Sequence, residues 1–164
     1  MSVSTITETV QYLTFKLADE IFALDVAKVR EILEYTSITK VPQTPEFMRG
    51  VINLRGSVVP VIDMRLKFGM TTTEQTINTC IIVVEVTLDG DTTVLGALAD
   101  SVQEVVEMEP ELIEPAPHIG TRLKTDFIKG MGKHEDQFVM ILDIDKVFTE
   151  SEMAAVQDAG GGND

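Results

Sequence analysis

Apolar and polar residues alternate with a period of two through Leu13-Thr14-Phe15-Lys16-Leu17. That spacing puts the apolar side chains on one face of a half-buried strand. Ala18-Asp19-Glu20 predicts a turn into a second strand over residues 21–26. The arrangement recurs later, where residues 81–88 lead through Asp89-Gly90-Asp91 into residues 94–99. Asp-Gly between apolar runs is a strong hairpin signal. After the first hairpin the spacing lengthens toward 3.6, and Val26, Val29, Ile32 and Leu33 are expected on one face of a short helix or turn. Pro42 and Pro45 interrupt any regular element. Residues 50–54 and 58–63 predict another strand pair, in which Pro60 implies an edge position or a bulge. Near the end, Thr149-Glu150-Ser151-Glu152 has the form of a capping box and predicts a short helix through Gln157. Residues 159–164 are Gly-rich and expected to fray, and residues 1–10 are expected to be disordered.

The chain repeats itself. Phe47-Met48-Arg49-Gly50 corresponds to Phe127-Ile128-Lys129-Gly130 at a spacing of 80. In the same register Val61-Ile62-Asp63-Met64 corresponds to Ile141-Leu142-Asp143-Ile144, and Phe68 to Phe148. Earlier in each half, Val26, Val29, Ile32 and Leu33 match Ala99, Val102, Val105 and Val106 at a spacing of 73, and Pro42 matches Pro115. The extra seven residues fall near residues 118–124, a loop-like stretch where an insertion costs little. The chain thus contains two copies of a unit of about 70 residues, a size that is marginal alone. Short strands joined by tight turns suggest a small barrel, and duplication suggests two of them. The expected division is one domain over residues 11–152, with subdomains at about 11–70 and about 77–148 and a helix end and flexible tail over 153–164. Residues 71–76 form the connection.

Composition narrows the function. The formal net charge of −14 repels phosphate backbones and anionic membrane surfaces, so neither nucleic acid nor direct membrane insertion is expected. No apolar run approaches the roughly 20 residues of a membrane helix, and residues 1–9 lack the basic and apolar stretches of a signal peptide. A cytoplasmic protein is expected. Cys80 stands alone in an apolar run and reads as a buried small hydrophobe.

The groups that carry common chemistries are missing from the pattern. There is no Gly-x-x-x-x-Gly-Lys phosphate loop and no Gly-x-Ser-x-Gly elbow. His118, His134 and Cys80 have no ligand-like spacing, and both histidines read as exposed loop residues. Asp143 and Asp145 could pose as a metal pair, but solvated turn carboxylates explain them as well, and the match of Asp63 to Asp143 favours a structural role. Neither enzyme activity nor a metal or cofactor is expected. A binding or scaffolding role is left by elimination.

The run Gly50-Val51-Ile52-Asn53-Leu54-Arg55-Gly56-Ser57-Val58-Val59-Pro60-Val61-Ile62-Asp63-Met64-Arg65 is distinctive. It resembles the core signature of the CheW family, the adaptors of bacterial chemotaxis. The resemblance extends in register from about Gln11 to Glu152 and takes in Val29-Arg30-Glu31-Ile32, Pro42 to Pro45 and Pro115-Ala116-Pro117. It implies a mainly β fold of two intertwined five-stranded SH3-like barrels with short helices, a C-terminal helix and a groove between the barrels. It also implies a role: bridging the cytoplasmic tip of chemoreceptor coiled coils to the regulatory domain of the histidine kinase CheA, in membrane-associated arrays where the two alternate in rings. Related CheV proteins add a receiver domain; about a dozen residues follow Glu152, so none is expected here.

A receptor tip is a helical hairpin, and a helix docks in an apolar groove through anchors three and four apart. Val26, Val29 and Ile32 with Ala99, Val102 and Val105 could supply that groove, although such stripes equally fit core positions. The resemblance turns Val29, Val102 and Val105 toward the receptor. It also pairs Arg55, where a strand turns, with Glu31; the second half has Glu135 at the position of Arg55. Gly50 and Gly56 would give backbone freedom or close approach, or serve as ordinary turn glycines. With Asn53 these residues make up the expected receptor site: Val29, Glu31, Gly50, Asn53, Arg55, Gly56, Val102 and Val105. Strand edges and loops at both barrel ends are expected to meet the kinase. Three other readings stay open: an adaptor of a related kinase pathway with a surface-motility or other non-flagellar output, an enzyme on a barrel scaffold, and a purely structural oligomer.

Overall fold

A computed structural model describes residues 10–88, 90–114 and 127–161. The expected disorder before residue 10, Asp89 of the hairpin, Pro115-Ala116-Pro117, His118, the insertion at residues 118–124 and the last three residues lie outside them. The first half contributes β1 (Val10–Leu17), β2 (Glu20–Asp25), β3 (Val29–Glu34), β4 (Met48–Leu54), β5 (Ser57–Asp63) and the short helix α1 (Met64–Lys67). The second contributes β6 (Cys80–Leu88), β7 (Asp91–Ala99), β8 (Ser101–Met108), β9 (Ile128–His134), β10 (Gln137–Leu142) and α2 (Glu150–Gly161).

The strands form two five-stranded sheets, ordered β8-β1-β2-β10-β9 and β3-β6-β7-β5-β4. The two orders are the same once each strand is replaced by its repeat counterpart. Each sheet wraps its own apolar core. Tyr12, Ala23, Val106, Met108, Val139 and Ile141 fill the first. A side chain at Gly132 of β9 would meet Met108 Sδ at 2.6 Å, so the fifth strand also closes on that core. Ile52, Val59, Val61, Ile81, Val83 and Leu98 fill the second, with Leu33 of β3 packed against them. These are the two expected barrels, called barrel A and barrel B below.

The halves at about 11–70 and about 77–148 divide the sequence, and the barrels cut across that division. Barrel A takes β1 and β2 from the first half and β8 to β10 from the second; barrel B takes β3 to β5 and then β6 and β7. Each barrel contains one parallel pairing between halves. Val61 pairs with Gly96 and Ile141 with Ala23, equivalent contacts in the repeat. A third core lies between the barrels and includes Phe15, Leu17, Phe22, Ile82, Val84, Leu95, Leu142 and Phe148. β6 is therefore buried on both faces: Ile81 and Val83 point into barrel B, Ile82 and Val84 into the inter-barrel core. This explains its unbroken apolar run. Each large side chain removed from water here stabilises by about 1.5–3 kcal/mol, and most of the inter-barrel core forms only when both halves are present.

Four expectations are corrected. Val26, Val29, Ile32 and Leu33 lie on no helix face: a 3-10 turn covers Val26–Lys28, and β3 follows. The apparent helical period is produced by β-bulges. Residues 29 to 31 of β3 face residues 84 to 83 of β6, leaving Arg30 as an extra residue. In β8, residues 102 to 105 face residues 15 to 13 of β1, again one more than the partner. A bulge inserts one residue into a period of two, so apolar positions recur at three. Pro60 sits in β5, an interior strand, at the point where pairing with β7 begins at Val61. α2 continues past Gln157 to Gly161. Its capping box is present: Glu152 N–H donates to Thr149 Oγ1 at 3.1 Å, and Thr149 N–H donates to Glu152 Oε1 at 2.9 Å. Cys80 is half-buried at the start of β6, where its thiol donates to the Asn78 carbonyl at 3.2 Å.

Candidate functional site

The β4–β5 hairpin carries most of the distinctive signature. Leu54 pairs with Ser57, leaving the two-residue loop Arg55-Gly56. Both loop residues have positive φ, +50° and +88°, the signature of a type I′ turn. Asn53 Oδ1 accepts the Gly56 N–H at 2.8 Å and holds that turn. The strained backbone fixes Arg55 at the tip with 71% of its side chain exposed, and its Nη2 meets Glu31 Oε2 of β3. Because β3 and β4 are the two ends of the barrel B strand order, the Arg55–Glu31 pair clasps the barrel's seam. Glu31, Asn53, Arg55 and Gly56 thus come together as expected. A groove of about 590 Å³ opens beside the clasp, lined by Arg30, Glu31, Arg55, Val58, Thr93 and Val94 among others.

Gly50 sits elsewhere. It is buried at φ +147°, and a Cβ there would stand 2.1 Å from the Thr39 carbonyl oxygen. Thr39 and Val51 exchange both backbone hydrogen bonds at 2.9 Å across that contact. Gly50 therefore lets the 38–39 segment lie on β4, and it leaves the candidate contact surface.

The expected apolar positions divide between two environments. Val29 pairs with Val84 and Val102 with Phe15, and both valines pack half-buried against the inter-barrel core. They occupy equivalent places on the outer strands of the two barrels, β3 and β8. Val105 is 51% exposed. Ala99 is fully buried, whereas Ile32 pairs with Ile82 on the same inter-barrel face of β3 as Val29 but is exposed. The groove beside the Arg55 clasp does not include Val29, Val102 or Val105.

Two apolar residues escaped sequence reasoning. Val58 and Phe138 are 57% and 62% exposed and lie 80 residues apart, each just beyond the tip of its barrel's hairpin. Their match in the repeat was the available signal.

The carboxylates that could have posed as ligands are structural. Asp63 is buried and accepts the Thr73 hydroxyl at 2.7 Å, the Thr73 N–H at 2.9 Å and Arg49 Nη1 at 3.1 Å, while capping α1. Asp143 caps the 3-10 turn Ile144–Lys146. Asp145 accepts Lys28 Nζ at 2.8 Å and the Thr87 N–H at 2.7 Å. His134 ends β9 rather than lying in a loop, and its Nε2 stands 3.0 Å from Glu104.

Two exchanged barrels, a clasped seam and a shared core define a scaffold built for binding at its surfaces. The family model for the CheW-like domain matches residues 11–152. The chain is 37% identical over 146 residues to the chemotaxis protein CheW of Klebsiella aerogenes, covering 89% of this chain and 86% of that one. It is 33% identical over 148 residues to CheW of Bacillus subtilis, covering 89% and 92%. The crystal structure of the scaffolding protein TtCheW from Thermoanaerobacter tengcongensis superposes with a TM-score of 0.77 at 35% identity, covering 88% of this chain and 91% of that one. The chain belongs to the CheW family, whose members are non-catalytic scaffold adaptors of chemotaxis. Among the described residues no helix is long and apolar enough to cross a membrane.

Proposed function

We propose that this chain couples the cytoplasmic tips of chemoreceptors to the regulatory domain of the kinase CheA, and is recruited by them to membrane-associated arrays. The observation that carries the reading is the equivalent placement of Val29 and Val102, one on the outer strand of each barrel, at the edge of a single shared core. A receptor helix laid across the junction gains apolar contact from both barrels, with exposed Val105 extending the surface along β8. Arg55 offers an exposed guanidinium held by Glu31, able to donate charge-assisted hydrogen bonds to receptor carboxylates or carbonyls. The matched apolar residues Val58 and Phe138 support kinase contact at both barrels, as alternation in a ring requires.

Reconstitution with receptor signalling fragments and CheA tests the reading through kinase autophosphorylation. Kinase activity is expected to become receptor-dependent only when the chain is present. Val105→Asp, at an exposed position, is expected to fold normally and to weaken receptor binding. A chain that binds neither partner and leaves kinase activity unchanged overturns the proposal.

A further inference from the structure

The seam of barrel A differs from that of barrel B in charge. Glu104 of β8 corresponds to Glu31, and Glu135 takes the place of Arg55. Where barrel B sets a guanidinium against a carboxylate, barrel A sets two carboxylates around the imidazole of His134. Nε2 of His134 lies 3.0 Å from Glu104 Oε2 and 3.6 Å from Glu135 Oε2. One ligand atom from each of the three residues lies within 4.8 Å of the others.

The backbone presents these groups firmly. Glu104 lies in the β8 bulge, where Thr14 Oγ1 donates to its carbonyl at 2.7 Å and accepts its N–H at 3.1 Å. Glu135 and Asp136 form the two-residue loop between β9 and β10, with φ of +51° and +64°. His134 ends β9, so its ring faces the loop and β8 together.

We propose that Glu104, His134 and Glu135 form a binding site for a divalent transition-metal ion of the zinc class. Donors around a tetrahedral ion with bonds of about 2.0–2.2 Å lie about 3.3–3.5 Å apart. The separations of 3.0 and 3.6 Å from Nε2 lie on either side of that spacing. One imidazole nitrogen and two carboxylate oxygens suit zinc, nickel or copper better than the all-oxygen preference of calcium or magnesium. The ion would supply the positive charge that Arg55 supplies in barrel B, and it would join β8 to the β9–β10 hairpin across the seam. All three side chains reach solvent, which leaves a route for the ion and for water to complete its coordination.

The test is calorimetric titration of the full chain with ZnCl₂ in excess Mg²⁺, which occupies sites made only of carboxylates. Long-range proton–nitrogen spectra follow the His134 ring in parallel. Saturable binding with a shift of the His134 nitrogens is expected. His134→Ala and Glu135→Arg are each expected to abolish it, whereas His118→Ala retains it. Glu135→Arg recreates the residue of barrel B at the same backbone conformation, so a fold failure is not anticipated; circular dichroism verifies this. No saturable binding, undiminished binding in either site variant, or loss in His118→Ala overturns the proposal.

Discussion

Replacing Arg55 by Glu separates the two duties open to the clasp, closing a barrel and touching a receptor. The substitution trades an attraction for a repulsion. The lost ion pair is worth about 0–1 kcal/mol because Arg55 is 71% exposed and water screens it. Two carboxylates about 4 Å apart repel by about 1 kcal/mol in a water-like medium. The backbone adds little, since Glu135 already occupies the equivalent position at φ +51°. The expected loss of stability is therefore about 1–2 kcal/mol, against a typical total of about 5–15 kcal/mol. Melting is expected to fall by about 2–8 °C, and the chain remains folded at assay temperature. Loss of a buried charged contact with a receptor costs about 2–5 kcal/mol, or about 30-fold to several thousandfold in affinity. Pull-down with receptor fragments and receptor-dependent autophosphorylation read that loss. The double variant Glu31→Arg/Arg55→Glu restores the internal pair in reversed polarity. If Arg55 touches the receptor, the double variant regains its melting temperature and stays uncoupled. Full coupling in the single variant, or its recovery in the double variant, refutes direct contact and leaves the pair a seam clasp only.

Two further outcomes follow from burial. Asp63→Ala strips a buried carboxylate from Arg49 and Thr73, at an expected cost of about 3–5 kcal/mol. Asp143→Ala at the equivalent place removes a half-exposed cap at about 1 kcal/mol, and equal urea midpoints for the two variants would count against the assigned roles. Gly50→Ala drives a Cβ into the Thr39 carbonyl and is expected to cost at least about 2–3 kcal/mol. Gly56→Ala has open space around it and carries only backbone strain of about 1 kcal/mol, so calorimetric melts should rank Gly50→Ala well below it.

The repeat was legible because equivalent side chains perform equivalent backbone tasks. The carbonyls of Phe47 and Phe127 both accept, at 2.7 Å, an N–H from the aspartate at the far end of the hairpin that follows, Asp63 and Asp143. Hairpins were legible because their strands are neighbours in sequence and their turns have a chemistry of their own. The assignment of strands to barrels was not, since β10 reaches β2 through more than a hundred intervening residues and β5 reaches β7 across the halves. Nothing local in Val61 or Ile141 specifies a parallel partner. The bulges misled most directly, because one added residue makes a strand imitate a helix. Of the candidate site, the Arg55–Glu31 pair and the Asn53–Gly56 turn were legible from the signature. The Glu104–His134–Glu135 cluster was not, because its members join only where the ends of the barrel A strand order meet.

Duplication explains why so similar a pair of barrels can serve different ends. The exchange of the β1–β2 and β6–β7 hairpins between the halves ties the barrels together, so substitutions that unfold one half deprive both barrels of strands. Selection on the shared cores therefore acts on the chain as a whole. The seams escape that constraint. Their residues reach solvent, largely at Arg55 and Glu135 and partly at Glu31 and His134, and a change of charge there costs little stability while changing what the surface can bind. Barrel B carries arginine against glutamate and an apolar rim; barrel A carries histidine between two glutamates on the same backbone. The backbone symmetry thus offers two equivalent docking frames, and the differing charges make them inequivalent to any one partner. Under the proposed coupling role, one face would hold a receptor and the other a kinase, a use for which a common scaffold with unlike faces is suited.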